Sequence, residues 1–254
     1  MCLILLAWHA HPDYPLVVAA NRDEFFARPT AAADFWPDHP NLLAGRDLEG
    51  GGTWFGVSRT GRFAGLTNYR DPASVRQGTP SRGALVADFL TGECPPADYR
   101  ARLEERGATY NGYNLLFGDG KGLFYHSNCG TGPERLPPGI YGLSNHLLDT
   151  PWPKVSRGKS RLASALAALP DDRGLLDLLR DDQLADDTAL PRTGVSLEWE
   201  RLLSAAFVRS PAYGTRSSTV LIRDRQGQVA FEEVHFDEGA RETRRTRFNF
   251  QVSS

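Results

Sequence analysis

The chain has 254 residues, of which 41% are hydrophobic and 24% charged, with a formal net charge of −2. That is ample apolar material for a core, and the near-balance of charge gives no electrostatic reason to expect a nucleic acid or an anionic membrane as partner. Three cysteines, Cys2, Cys94 and Cys129, are too few and too scattered for a disulfide framework or a cysteine zinc site, and no stretch approaches the roughly 18 apolar residues of a membrane span.

In chain order, Leu3–Ala7, within the apolar run Cys2–Trp8, is continuously apolar, which predicts a strand covered on both faces. It is shorter than a usual signal-peptide core and lacks a basic lead. Pro12-Asp13-Tyr14-Pro15 reads as a turn, and Leu16–Ala20 as a second strand, giving an N-terminal hairpin. That strand ends in the polar quartet Asn21-Arg22-Asp23-Glu24. Residues 29–42, with their prolines and aspartates, read as loop. Two strands are predicted at Trp54–Ser58 and Phe63–Thr67 around Thr60-Gly61, and a helix capped by Ser81 and stopped by Gly92 follows. A charged helix over Pro95–Arg106 comes next.

Further strands are expected at Tyr113–Phe117, Leu123–His126 and Ile140–Leu143. Helices are expected over 152–169, Leu175–Leu179 and Leu197–Phe207, and strands at Thr219–Arg223, Val229–Phe236 and Thr243–Val252. Strands open and close the chain, and helices gather in the middle. The hairpins favour an α+β layered fold in one domain over residues 1–254 rather than a doubly wound parallel sheet. The Asp-rich stretch 171–187 reads as solvated surface, and the basic run RETRRTRF over Arg241–Phe248 as a charged edge strand.

Several polar residues stand where strands end. Asn21 and Asp23 share one strand face, and Arg22 and Glu24 the other. Asn68 in GLTNY and Asn145 in YGLSN each close an apolar strand, where a side-chain amide could donate to a developing oxyanion. Arg216 precedes another strand, within YGTRSSTVLI. The Met-Cys start admits two readings. Cys2 is a small residue opening a buried strand or, with Met1 removed, an N-terminal residue carrying both a thiol and an α-amine.

Together these segments make the chain resemble the NRDE family, also called the transport and Golgi organisation protein 2 family. The resemblance rests on the Met-Cys start, AANRDEFFARP, DLEGGGTWFGVS, GLTNYRDP, YNGYNLLFGD, YGLSNHLLDTPWPK and PAYGTRSSTVLI. It implies kinship with N-terminal nucleophile (Ntn) hydrolases such as bile salt hydrolase and penicillin V acylase. The implied fold is a four-layer αββα sandwich with two central, mostly antiparallel sheets. Carried over, Cys2 is the nucleophile, Asp23 orients it, Asn68 and Asn145 face the substrate carbonyl, and Arg216 closes the charge network. Asn21, Arg22, Glu24 and Trp54 are the expected substrate contacts. The acylases carry an arginine shortly before their aspartate, and Ala20 stands at that position here. Because neighbouring strand residues point to opposite faces, Arg22 is not expected to replace it beside Cys2.

The implied activity is hydrolysis of an amide or thioester bond in a small acyl substrate. The runner-up that the resemblance admits is a non-catalytic role in intracellular heme or acyl-CoA and lipid binding and trafficking. His9 and His11, which share a strand face, and the Cys94-Pro95 pair are the sequence features open to heme. His126 and Cys129 have no partner at metal-ligand spacing, so no metal site and no required cofactor is expected. The expected location is cytoplasmic and reducing.

Overall fold

The computed structural model describes residues 2–131 and 135–253. Its elements in chain order are β1 (Cys2–Trp8), β2 (Leu16–Phe25), β3 (Thr30–Trp36), β4 (His39–Asp47), β5 (Phe55–Ser58), β6 (Phe63–Asn68), α1 (Gly83–Thr91), α2 (Pro96–Arg106), β7 (Tyr113–Gly118), β8 (Leu123–Ser127), β9 (Arg135–Leu136), β10 (Gly139–Leu143), α3 (Pro153–Leu166), α4 (Arg173–Leu179), α5 (Leu197–Leu202), β11 (Tyr213–Arg223), β12 (Gln228–Phe236) and β13 (Glu242–Gln251). One sheet has six strands in the order β10-β1-β2-β11-β12-β13, the other seven from β3 to β9 in sequence order. Every pairing in both is antiparallel.

Strand alternation distributes the apolar side chains among three cores. Ile4, Leu6, Val18, Leu43, Phe55, Phe63 and Phe231 meet between the sheets. Leu3, Leu5, Val17 and Ala19 point the other way, onto Leu162 and Leu166 of α3 and Leu175 and Leu179 of α4. On the far side, Leu66, Leu115 and Phe117 receive Leu85 and Phe89 of α1 and Leu103 of α2. The order is therefore helices, sheet, sheet, helices: the αββα sandwich that the resemblance implied. The continuous apolar run of β1 has its explanation here, since both faces of that strand are buried.

Three local expectations are corrected. Residues 29–42 are not loop. They enter the hairpin of β3 and β4, with register shifts near Ala31 and Phe35 that let the backbone bend, and Pro40 sits at the strand's beginning where no ladder donor is needed. Ser81 does not cap α1; Arg82 occupies that position, with no side-chain cap. The helix expected to reach Phe207 ends at Leu202 as α5. No helix among the described residues is long and apolar enough to cross a membrane.

The glycine triplet before Trp54 has a packing purpose. Gly51 adopts a φ of +75° in the turn after β4, a conformation glycine adopts without strain. A β-carbon on Gly52 would lie 2.3 Å from the backbone of Gly83. The loop and the start of α1 thus touch main chain to main chain, and together they form one wall of the cleft described next.

Candidate functional site

The N-terminal hairpin builds the site. Its turn is centred near residue 12, so the antiparallel register opposes Cys2 to Arg22 and Leu3 to Asn21. Residues directly opposite on antiparallel strands project to the same face. Cys2 and Arg22 are therefore neighbours on the inter-sheet face, at the sheet's end. This corrects the expectation that Arg22 cannot reach Cys2: Asp23, not Cys2, is the residue from which alternation separates Arg22.

A cleft of about 380 Å³ opens at this end of the sandwich. Cys2, Arg22, Asp23 and Glu24 line it from β1 and β2, Asn68 and Trp54 from the second sheet and its approach, and Arg82 from the start of α1. The Arg22 guanidinium lies over the Trp54 ring, 4.3 Å from its centroid, and 3.9 Å from Glu24. Gly45 makes room for that ring, since a β-carbon there would meet the indole at 2.4 Å. Arg28 at the rim holds Asp47 and Glu49, each at 2.9 Å.

Cys2 is half-buried. Burial pushes its thiol above the ordinary range and the nearby Asp23 charge adds to this, while Arg22 and a hydrogen bond from the Asp23 backbone N–H oppose it. Asp23 itself is 1% exposed. Its carboxyl is raised by burial, against the pull of Lys154, a hydrogen bond from Thr215 and the charge of Arg70. The Thr215 hydroxyl donates to Asp23 Oδ1 at 2.7 Å, and the Tyr213 hydroxyl to the Asp23 carbonyl at 3.1 Å. Arg82 is half-buried, and this partial desolvation holds it below its ordinary value against the opposing charges of Cys2 and Glu24. Its Nη1 donates to the Gly112 carbonyl at 3.1 Å.

Of the residues expected at the site, Cys2, Arg22, Asp23, Glu24, Trp54 and Asn68 converge on this cleft. The side chains of Asn21, Asn145 and Arg216 serve elsewhere. Asn21 faces the helices: its amide donates to the Leu179 and Ala206 carbonyls at 2.8 and 2.7 Å and accepts from the Ser218 hydroxyl at 2.6 Å. Its polar atoms are committed to the scaffold, so it is not placed to contact substrate. Asn145 is fully buried, and its amide donates to the Asn68 carbonyl at 2.9 Å. It positions Asn68 instead of facing a substrate carbonyl. Arg216 sits where β11 shifts register between Thr215 and Ser217. The bulge turns it away to donate to the Phe25 and Arg28 carbonyls at 2.8 and 3.1 Å, clamping the β2–β3 turn outside the cleft.

The features open to heme lie apart from this cleft. His9 and His11 follow the far end of β1, where the His11 Nδ1 accepts from the Asp13 backbone at 3.1 Å. Cys94 follows α1 and is engaged with the Pro95 carbonyl. Cys129 is exposed beside Asn128, and His126 stacks on Tyr113. Among the described residues no group of three or more His, Cys, Asp or Glu side chains is arranged to hold a metal.

Sequence reasoning missed Arg82, Lys154 and Arg70. Lys154 had a faint signal: it lies four residues before Gly158 on the stripe of α3 that carries Val155, Leu162 and Leu166 inward, so a buried position was legible from helical spacing. Nothing local announces Arg70, which donates to Glu200 at 2.8 Å across a long stretch of chain.

The model of the family described as Transport and Golgi organisation 2 matches residues 1–238. The chain is 40% identical to the transport and Golgi organization protein 2 homolog of Bos taurus and 39% identical to that of Homo sapiens. In both comparisons 92% of each chain is covered. Among solved structures, the N-acylethanolamine-hydrolyzing acid amidase ortholog of Caenorhabditis elegans aligns with a TM-score of 0.46 and 10% identity, over 87% of this chain and 92% of that one.

Proposed function

The chain belongs to the transport and Golgi organisation 2 family, and from that premise we propose that the cleft is the active site of a cysteine hydrolase acting on an amide or thioester bond of a small acyl substrate. One observation carries the reading: Cys2, Asp23 and Asn68 line one cleft, with the Asp23 backbone N–H bonded to the Cys2 sulfur. A thiol, an orienting carboxylate and a neutral amide donor are the parts acyl transfer requires.

The working form is the chain from which Met1 has been removed. The α-amine of Cys2, with a reference pKa of about 7.7–8.0, then takes the thiol proton as the sulfur attacks the acyl carbonyl. Asp23 holds that amine by charge. Asn68 donates to the oxyanion. Collapse expels the amine or thiol leaving group, which takes the proton from the α-ammonium, and a Cys2 thioester remains. Water attacks it with the α-amine as base, releasing the carboxylic acid and regenerating the thiol.

Binding of heme or acyl-CoA without turnover receives less support from the cleft. Its lining sets Arg22, Arg28 and Arg82 against Asp23, Glu24, Asp47 and Glu49, so it offers no surplus of positive charge to several phosphates or carboxylates. Cys2→Ala separates the two functions. In a hydrolase it abolishes turnover and spares ligand affinity, because the lost interaction belongs to the transition state. Protein whose Met1 is absent by intact mass, yet which cleaves no member of a panel of acyl amides, acyl-homoserine lactones and acyl-CoA thioesters, would overturn the proposal.

A further inference from the structure

Lys154 is a buried ionisable group that the foregoing mechanism does not use. It sits in the first turn of α3, is 1% exposed, and its Nζ has no hydrogen-bond partner among the described residues. A buried ammionium-bearing side chain with an unmatched donor is costly, and a fold that retains one needs a reason. The charges it faces supply the reason. Asp23 of β2 is its principal attractive neighbour, Cys2 of β1 a weaker one, and Arg70, after β6, repels it. Arg70 is itself paired with Glu200 of α5, and its guanidinium lies 4.8 Å from the centroid of Trp152. On the other side of Asp23, β11 contributes only neutral hydroxyls, from Thr215 and Tyr213.

Ala20 stands where the acylases that the chain resembles carry an arginine, and its side chain packs in the core between the sheets, on the face of Cys2 and not that of Asp23. The structure brings positive charge to Asp23 from the opposite side, on a helix. We propose that Lys154 is a positioning residue of the site: its ammonium, sealed from water next to Asp23, keeps that carboxyl ionised so that it can hold the Cys2 α-amine. The last clause rests on the hydrolase reading; the electrostatic part does not.

The consequence for pH is direct. Burial brings the Lys154 ammonium down to about 8. The charge that holds Asp23 therefore weakens just above neutrality, where an exposed lysine would keep its proton.

The test is infrared difference titration of the full chain, with the Asp23 bands assigned by their loss in Asp23→Asn. Lys154→Met should raise the proton affinity of Asp23 by about tenfold or more, so that a protonated carboxyl appears at a pH where the parent shows carboxylate. Lys154→Arg should keep Asp23 ionised and abolish any change near pH 8. If Met at position 154 does not fold, Lys154→Gln takes its place. The parent provides a readout that needs no change at Lys154: its Asp23 carboxylate band should shift as the pH passes about 8. An Asp23 band unmoved by pH in the parent, or titrating identically in the parent and in the folded Met or Gln variant, overturns the inference. None of these measurements requires turnover. A chain that cleaves nothing can pass them, and an active hydrolase whose Asp23 ignores Lys154 fails them.

Discussion

Replacing Asn21 by alanine asks whether the first residue of the N-R-D-E quartet is scaffold or substrate contact. Its side chain is 1% exposed and ties β2 to the end of α4 through the Leu179 carbonyl, to the segment after α5 through Ala206, and to β11 through Ser218. Asn21→Ala removes three hydrogen bonds, each worth about 1 kcal/mol net, and leaves two carbonyls and a hydroxyl short of a partner in a place water does not reach. The expected loss is about 3–5 kcal/mol. For a chain of this size each kcal/mol moves the midpoint by roughly 2–4 °C, so Tm should fall by about 6–20 °C. Urea unfolding followed by tryptophan fluorescence measures this, with an unchanged m-value showing that the unfolding transition itself is the same. Ser218→Ala combined with Asn21→Ala should be less damaging than the sum of the two, since they share a bond. Cys2 alkylation in the surviving folded fraction should keep the parent rate. A stability loss under about 1 kcal/mol, or loss of Cys2 reactivity in protein as stable as the parent, would refute the scaffold assignment.

Asp23→Asn should slow alkylation of the Met1-free protein at Cys2 and leave the Cys94 and Cys129 rates alone, measured by peptide mass spectrometry; equal Cys2 rates would remove Asp23 from the site. Arg70→Met leaves the Glu200 carboxylate buried without its 2.8 Å partner and should cost about 3–5 kcal/mol in chemical denaturation. Arg70→Met with Glu200→Leu should recover most of that loss, and a double variant as unstable as the single one would contradict the pairing.

Much of the fold is legible in the sequence because its strands obey simple alternation and its turns carry their usual residues. The two-sided burial of β1 follows from an unbroken apolar run. The hairpin of β3 and β4 was hidden because prolines and aspartates in that segment mimic a loop, and strand pairing with register shifts leaves only a weak periodic trace. At the site, the Cys2–Arg22 pairing was recoverable: a turn centred near residue 12 sends residue 2 to residue 22. Asn21, Asn145 and Arg216 illustrate the opposite limit. Each is a polar residue near a strand end, and only tertiary packing decides that its partners are backbone carbonyls rather than a ligand. Lys154 differs in kind: helical spacing marks it as buried, but no local pattern says which strand end its helix will cover.

The account turns on Cys2 as an acyl acceptor. The most direct measurement is intact mass spectrometry of the Met1-free protein, quenched in acid shortly after mixing with activated acyl amides and acyl-CoA thioesters. The account predicts an added acyl mass that maps to Cys2, decays as free acid accumulates, and is missing in Cys2→Ala. A chain with a titratable Cys2 thiol that forms no such adduct and releases no acid from any of these substrates would contradict it.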